Sequence, residues 1–150
     1  MTNDAHLQTL DAAHREAFHL FVEKATFWSN HTPHSWGYCS VVIVESHRDI
    51  FLQAGLYSQG RTWDKFTKKW TKVGTTVTDV IDSKHVQGLA IDVACKKSGG
   101  EIFWPEPRQK DAAKADEART FWLSLAEIAE SVGLKSGAKW NHEDWDHFEI

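Results

Sequence analysis

A single α+β domain, a small antiparallel sheet flanked by helices, is what this sequence predicts, on three observations. Apolar residues recur with helical spacing near both ends of the chain. Short β-branched runs with period-two alternation lie between them. No linker, repeat or low-complexity segment divides the 150 residues. The elements follow in order. Leu7, Leu10, Ala13, Ala17, Phe18, Phe21, Val22 and Ala25 predict one first helix, capped by Asn3 or Asp4 and ending between Trp28 and Pro33. Ser40 to Glu45 reads as a buried strand. Asp49 to Tyr57 predicts a short helix closed by Gln59-Gly60, and Lys65 to Lys72, with Phe66 and Trp70 interleaved, a solvated loop. Thr75 to Val80 is a further candidate strand. Leu89 to Ala94 is a firmer one, with Leu89, Ile91 and Val93 on one face and Asp92 on the other. Glu101 to Trp104 predicts its hairpin partner. Ala112 to Val132 is the clearest helix, striped by Ala118, Phe121, Trp122, Leu125, Ile128, Ala129 and Val132, with Gly133 at its C-terminal cap. A glycine-containing loop and a terminal strand, His147 to Ile150, close the chain.

Composition excludes several classes. A 41% hydrophobic and 25% charged chain is globular rather than disordered. With 21 acidic and 17 basic residues the net charge is −4, against a nucleic-acid partner. The longest apolar run, Val41 to Val44, is too short to cross a bilayer. Met1-Thr2-Asn3-Asp4 lacks the basic start of a secretory leader. Two cysteines, Cys39 and Cys95, make no disulfide framework and read as free thiols of a reducing compartment. Nine histidines and eight tryptophans are many for this length, so their positions must decide what they do.

Two segments place polar residues where a plain core would not. In Ser83 to Asp92, His85 precedes a glycine turn and Asp92 leaves the strand on its non-core face. In Asp144 to Glu149, His147 and Glu149 share one strand face and Phe148 the other. If the two strands pair, His85, Asp92 and His147 converge. Two imidazoles and a carboxylate with a fourth position free are the donors of a catalytic zinc site. Spacing alone leaves His142, Asp82, Asp146 and Glu149 as rival ligands, and a plain His–Asp hydrogen bond as the structural alternative.

Ser83-x-His85-x-x-Gly88-x-Ala90-x-Asp92, followed by Asp144-x-x-His147, resembles the zinc peptidases that cleave bacterial cell-wall peptides. These include D-alanyl-D-alanine carboxypeptidases and the L-alanyl-D-glutamate endopeptidases of phage endolysins. Glu45-Ser46-His47-Arg48, Gln53, and Leu56 to Thr62 (an LY-x-QGRT stretch) are similar to the endolysin branch. So are Gly133-Leu134, Gly137, Trp140 and His147-Phe148-Glu149. The chain departs from that branch at Ser136, where tryptophan is usual, at Ala138, where glycine is usual, and at Val86-Gln87.

Carried over residue by residue, the resemblance implies one Zn2+ per chain on His85, Asp92 and His147. It makes Asp144 the catalytic acid/base and sets Arg48 against the scissile carbonyl oxygen. Ser83, Arg61 and Trp140 become substrate-side residues: Ser83 orients the loop or contacts substrate, Trp140 covers the zinc pocket, and Arg61 serves either a substrate carboxylate or the Gln59-Gly60 turn. An Asp base needs dry surroundings, which Trp145 is placed to give. The implied enzyme is a monomeric hydrolase of peptidoglycan stem peptides, a phage endolysin that cuts the L-alanyl-D-glutamate bond to lyse the host cell, with a hedgehog/DD-peptidase-like fold over residues 1–150. It binds no nucleic acid and inserts in no membrane. It is expected to be made in the host cytoplasm and to reach the wall, thin and Gram-negative, after a separate protein permeabilises the membrane. A D-alanyl-D-alanine carboxypeptidase is the runner-up, and a catalytically silent zinc-containing binding module the alternative of another class.

Overall fold

The computed structural model describes residues 1–150. Its centre is a five-stranded antiparallel sheet, ordered β1 (Ser40–Glu45), β4 (Ala90–Lys96), β7 (His147–Glu149), β6 (Lys135–Ser136), with β5 (Ile102–Phe103) also paired to β4. One sheet face is covered by α2 (Arg15–His31) and α4 (Ala112–Ser131). Phe18, Phe21, Val22 and Ala25 of α2 and Ala118, Phe121, Trp122, Leu125 and Ala129 of α4 meet Val41, Ile43, Ile91, Val93 and Phe148 there. Phe148 of β7 packs at 4.4 Å between ring centroids on Phe21, which anchors the last strand in the core. Because side chains alternate along β7, burying Phe148 turns His147 and Glu149 to the other sheet face.

The expected first helix is two. After α1 (Asn3–Gln8) the chain breaks at Thr9–His14 and restarts as α2. The reason is local: Asp11 Oδ1 accepts from the Ala13 amide, and the Asp11 amide donates to the Gly88 carbonyl at 3.0 Å, tying the break to the loop after His85. α3 (Ile50–Ser58) starts where Asp49 Oδ1 accepts from the Phe51 amide. The Lys65–Lys72 segment is not a loop. It belongs to a separate antiparallel ribbon, β2 (Arg61–Asp64) with β3 (Lys69–Lys72). No strand forms at Thr75–Val80, which runs as a loop fixed by Arg61. α4 ends close to its expected bound, with Gly133 in the left-handed region at φ 88°.

Candidate metal centre and cleft

The pairing of β4 with β7 places Asp92 directly opposite His147. On the other side of β4 a register shift between Ile43 and Glu45 sets Glu45, not Val44, opposite Asp92. A bulge of this kind re-aims one side chain without unzipping the strand. Glu45, Asp92 and His147 therefore form a row across three strands. His85 reaches the row from the loop before β4: its Nε2 lies 3.2 Å from Asp92 Oδ1 and 3.2 Å from His147 Nδ1, and His147 Nδ1 lies 3.0 Å from Asp92 Oδ1. Gly88, at φ 68°, closes that loop with its missing Cβ turned toward the Asp11 amide.

The outer nitrogens settle how each imidazole faces the site. His85 Nδ1 donates to the Ser46 carbonyl at 2.7 Å, and His147 Nε2 donates to Glu149 Oε2 at 3.1 Å. This directs the lone pairs of His85 Nε2 and His147 Nδ1 at one another and at Asp92. Three electron-pair donors within 4.8 Å, with two of the three residues buried, repel unless a cation or a proton lies between them. The donor set, and the carbonyl and carboxylate holding the outer nitrogens, fit zinc with an open fourth position. Of the rivals, Glu149 accepts from His147 and stands behind the cluster, His142 is exposed, and Asp82 accepts from Gln87 at 3.0 Å.

Electrostatics agree with the geometry. Burial opposes ionisation of Asp92, but the His147 and His85 rings, which donate to it when protonated, hold its carboxyl well below the usual range. Burial alone would lower the His147 imidazole; the hydrogen bond and charge of Asp92, with Glu149, raise it instead. Burial, reinforced by the charges of Asp92 and Asp144, pushes Asp146 up to about 6.

Around the centre, Arg48, Ser83, Lys84, Trp140 and Asp144 line a cleft of about 400 Å³ with the three donor residues. Arg48 is held by Glu45, to which its Nε donates at 2.7 Å, and by fully buried Gln53, to which Nη1 donates at 2.6 Å. Gln53 in turn donates to the Val80 carbonyl at 2.7 Å. Sequence reasoning gave Glu45 and Gln53 no role, though both stand in the quoted motif. The hydrogen bonds it donates to Glu45 hold the Arg48 guanidinium fully charged, above the usual arginine value. Trp140 lays its ring 5.1 Å from that of His147 and covers one side of the centre. Ser83 Oγ accepts from the His85 amide at 3.3 Å, so it shapes the ligand loop.

Two expectations need correcting. Asp144 is exposed, not dry, because Trp145 turns toward the core. Its position is set instead by Gly137, whose carbonyl accepts from the Asp144 amide at 3.0 Å and where a Cβ would run into the Asp144 carbonyl. Arg61 lies outside the cleft. Its guanidinium sits 4.1 Å over the Tyr57 ring and donates to the Tyr57 and Thr78 carbonyls at 2.6 and 2.8 Å and to Asp79 at 3.0 Å. A side chain only 4% exposed and so fully engaged ties α3 to the 73–80 loop; it does not meet a ligand carboxylate.

Comparison with known proteins agrees with this arrangement. Residues 76–150 match the family model described as D-alanyl-D-alanine carboxypeptidase. The peptidoglycan L-alanyl-D-glutamate endopeptidase of Bacillus subtilis is 37% identical over 114 residues, covering 73% of this chain. The chain spans only 60% of that relative's length. The crystal structure of an L-Ala D-Glu endopeptidase of Serratia marcescens superposes with a TM-score of 0.63 at 14% identity, over 99% of this chain and 86% of the other. That match is one of fold.

Proposed function

The chain belongs to the D-alanyl-D-alanine carboxypeptidase family, and from that premise we propose that it is a zinc peptidase that hydrolyses the L-alanyl-D-glutamate bond of peptidoglycan stem peptides, acting as a monomer. His85 Nε2, Asp92 Oδ1 and His147 Nδ1 would hold the ion, which supplies Lewis acidity and a water activated near neutral pH. Asp144, on the cleft wall, takes the proton of the attacking water and returns one to the leaving amine. Arg48 keeps two of its five N–H groups free of Glu45 and Gln53, and these face the oxygen on which charge develops as the carbonyl is attacked. The rigid Glu45–Arg48–Gln53 network fixes that cation in advance, so little reorganisation is needed when charge appears. Trp140 walls one side of the centre against water.

The observation that carries an endopeptidase is that space continues on both sides of Asp144. Beyond the cleft, a smaller depression lined by Trp104, Arg108, Glu143 and Trp145 shares Asp144 as its wall. A bond in the middle of a chain needs such room on each side. The engagement of Arg61 also removes a cation that a carboxypeptidase would use on a free C-terminal carboxylate. Lys84 is then the one cleft cation in no ion pair, and the D-alanyl-D-alanine carboxypeptidase reading rests on it. The likeness of Leu56 to Thr62 to the endolysin branch supports a role in lysing a bacterial host for a phage, with synthesis in the host cytoplasm and action on the wall after release.

Mass analysis of purified muropeptides digested by the protein tests the reaction. New N-terminal D-glutamate is the expected product. Release of D-alanine alone would establish the carboxypeptidase, and intact muropeptides under zinc-replete conditions would leave a binding module.

A further inference from the structure

The β2–β3 ribbon stands apart from the central sheet and meets α3 only through Arg61 and Trp70, both at Tyr57. Every residue of β3 is exposed, as are Thr62 and Trp63 of β2. Two-stranded ribbons are at best marginally stable alone, and this one is held at its base. The Val73 and Gly74 amides donate to the Gly60 carbonyl at 2.8 and 3.1 Å, and Arg61 and Lys72 both meet Asp79. The register sets Trp63 opposite Trp70, edge to face at 5.5 Å, and Trp70 meets Tyr57 of α3 at 6.0 Å. An aromatic ladder thus climbs one face of the ribbon, its two tryptophans 49% and 39% exposed, toward Phe66 at the tip. Lys65, its Nζ 5.1 Å from the Phe66 ring centroid, and Lys68 stand at the tip, and Lys69 leaves the opposite face of β3, none of them in an ion pair. In a chain of net charge −4, this is a local excess of positive charge.

We propose that this ribbon is a docking surface for the glycan–peptide polymer of peptidoglycan, with Trp63 and Trp70 packing on sugar-ring faces and Lys65, Lys68 and Lys69 meeting stem-peptide carboxylates. The proposal rests on the substrate class given above and extends it to a second contact outside the cleft. Charge complementarity and exposed aromatic area suit such a polymer. Placement favours it over a nucleic acid or a bilayer. The 73–80 loop that clamps the ribbon also supplies Val77, Thr78 and Val80 to the cleft wall. A polymer whose peptide enters the cleft is therefore brought beside the ribbon, and a weak second contact on the same polymer raises retention without raising affinity for a short fragment.

The test compares sedimentation with insoluble peptidoglycan, stripped of protein and accessory polymers, with hydrolysis of a soluble monomeric muropeptide. The ribbon variants are Lys65→Gln/Lys68→Gln/Lys69→Gln, which leaves the aromatic ladder in place, and Trp63→Ala/Trp70→Ala. Sedimentation is measured in an Asp144→Asn background so that the polymer persists. Binding at least tenfold weaker in both variants, salt-sensitive in the parent, with muropeptide turnover within about twofold, is expected. Unchanged sedimentation of the triple-Gln variant overturns the proposal, as does an equal loss of muropeptide turnover. Tighter ribbon-dependent binding to phosphatidylglycerol vesicles or to a single-stranded oligonucleotide also overturns it. The two readings fail separately. Ribbon-dependent sedimentation without cleavage keeps this surface and removes the reaction, and cleavage with ribbon-independent sedimentation does the reverse.

Discussion

At the scale of single residues, the clustering of His85, Asp92 and His147 was legible because they lie where a short loop and two strand faces must point them. Their supports were not. Nothing in the spacing says that the Ser46 carbonyl takes His85 Nδ1–H or that Glu149 takes His147 Nε2–H; both depend on which strand lies beside which. Glu149→Ala should therefore weaken zinc binding about 10–100-fold in a competition titration while leaving the bare fold intact, because it frees the ring of a donor rather than removing the donor. Zinc affinity equal to wild type would deny Glu149 that part. Asp144→Asn should keep zinc and fold and lose about 10²–10⁴-fold in turnover, since an amide of the same shape carries no exchangeable carboxyl proton. A wild-type rate would move the acid/base to Glu143, Asp146 or Glu149. Arg61 was left open between a substrate carboxylate and the Gln59-Gly60 turn because its engagement comes from carbonyls at Tyr57 and Thr78, four and seventeen residues away and invisible to a motif.

Among the elements, the strands and helices with a buried face were readable and those without one were not. β1, β4 and α4 carry alternating or striped apolar residues because one face enters the core. β2 and β3 put no face into the apolar core, so no apolar alternation marks them and lysines masked the ribbon as a loop. The break between α1 and α2 escaped because Leu7 and Leu10 both reach the core across it, and periodicity continues where the backbone does not. The 3-10 turn Gly137–Lys139 offers the sharpest test of how local structure sets the site. Gly137→Ala would press a methyl group on the Asp144 backbone, costing about 1–3 kcal/mol by chemical denaturation and displacing Asp144. A variant with unchanged stability and full turnover would show that this contact does not position the acid/base.

Over the whole molecule, charge couples the centre to stability. Without metal, His147 titrates above the ordinary histidine value of 6.5, so its contribution is complete below 6.5 and is lost as pH rises through the raised value. Asp92 titrates below the ordinary 3.8, so its contribution is present above 3.8 and lost only as pH falls through the depressed value. Metal competes with the histidine protons. The rise in melting temperature on adding zinc should therefore grow from pH 5.5 to pH 8, and a constant rise would mean that the histidines are not ligands. Both cysteines are buried and unpaired with each other, and both should titrate as free thiols in denaturant. The account stands most directly on metal content. Elemental analysis should find one zinc per wild-type chain and almost none in His85→Ala or His147→Ala; full occupancy in both variants would contradict the centre built from His85, Asp92 and His147.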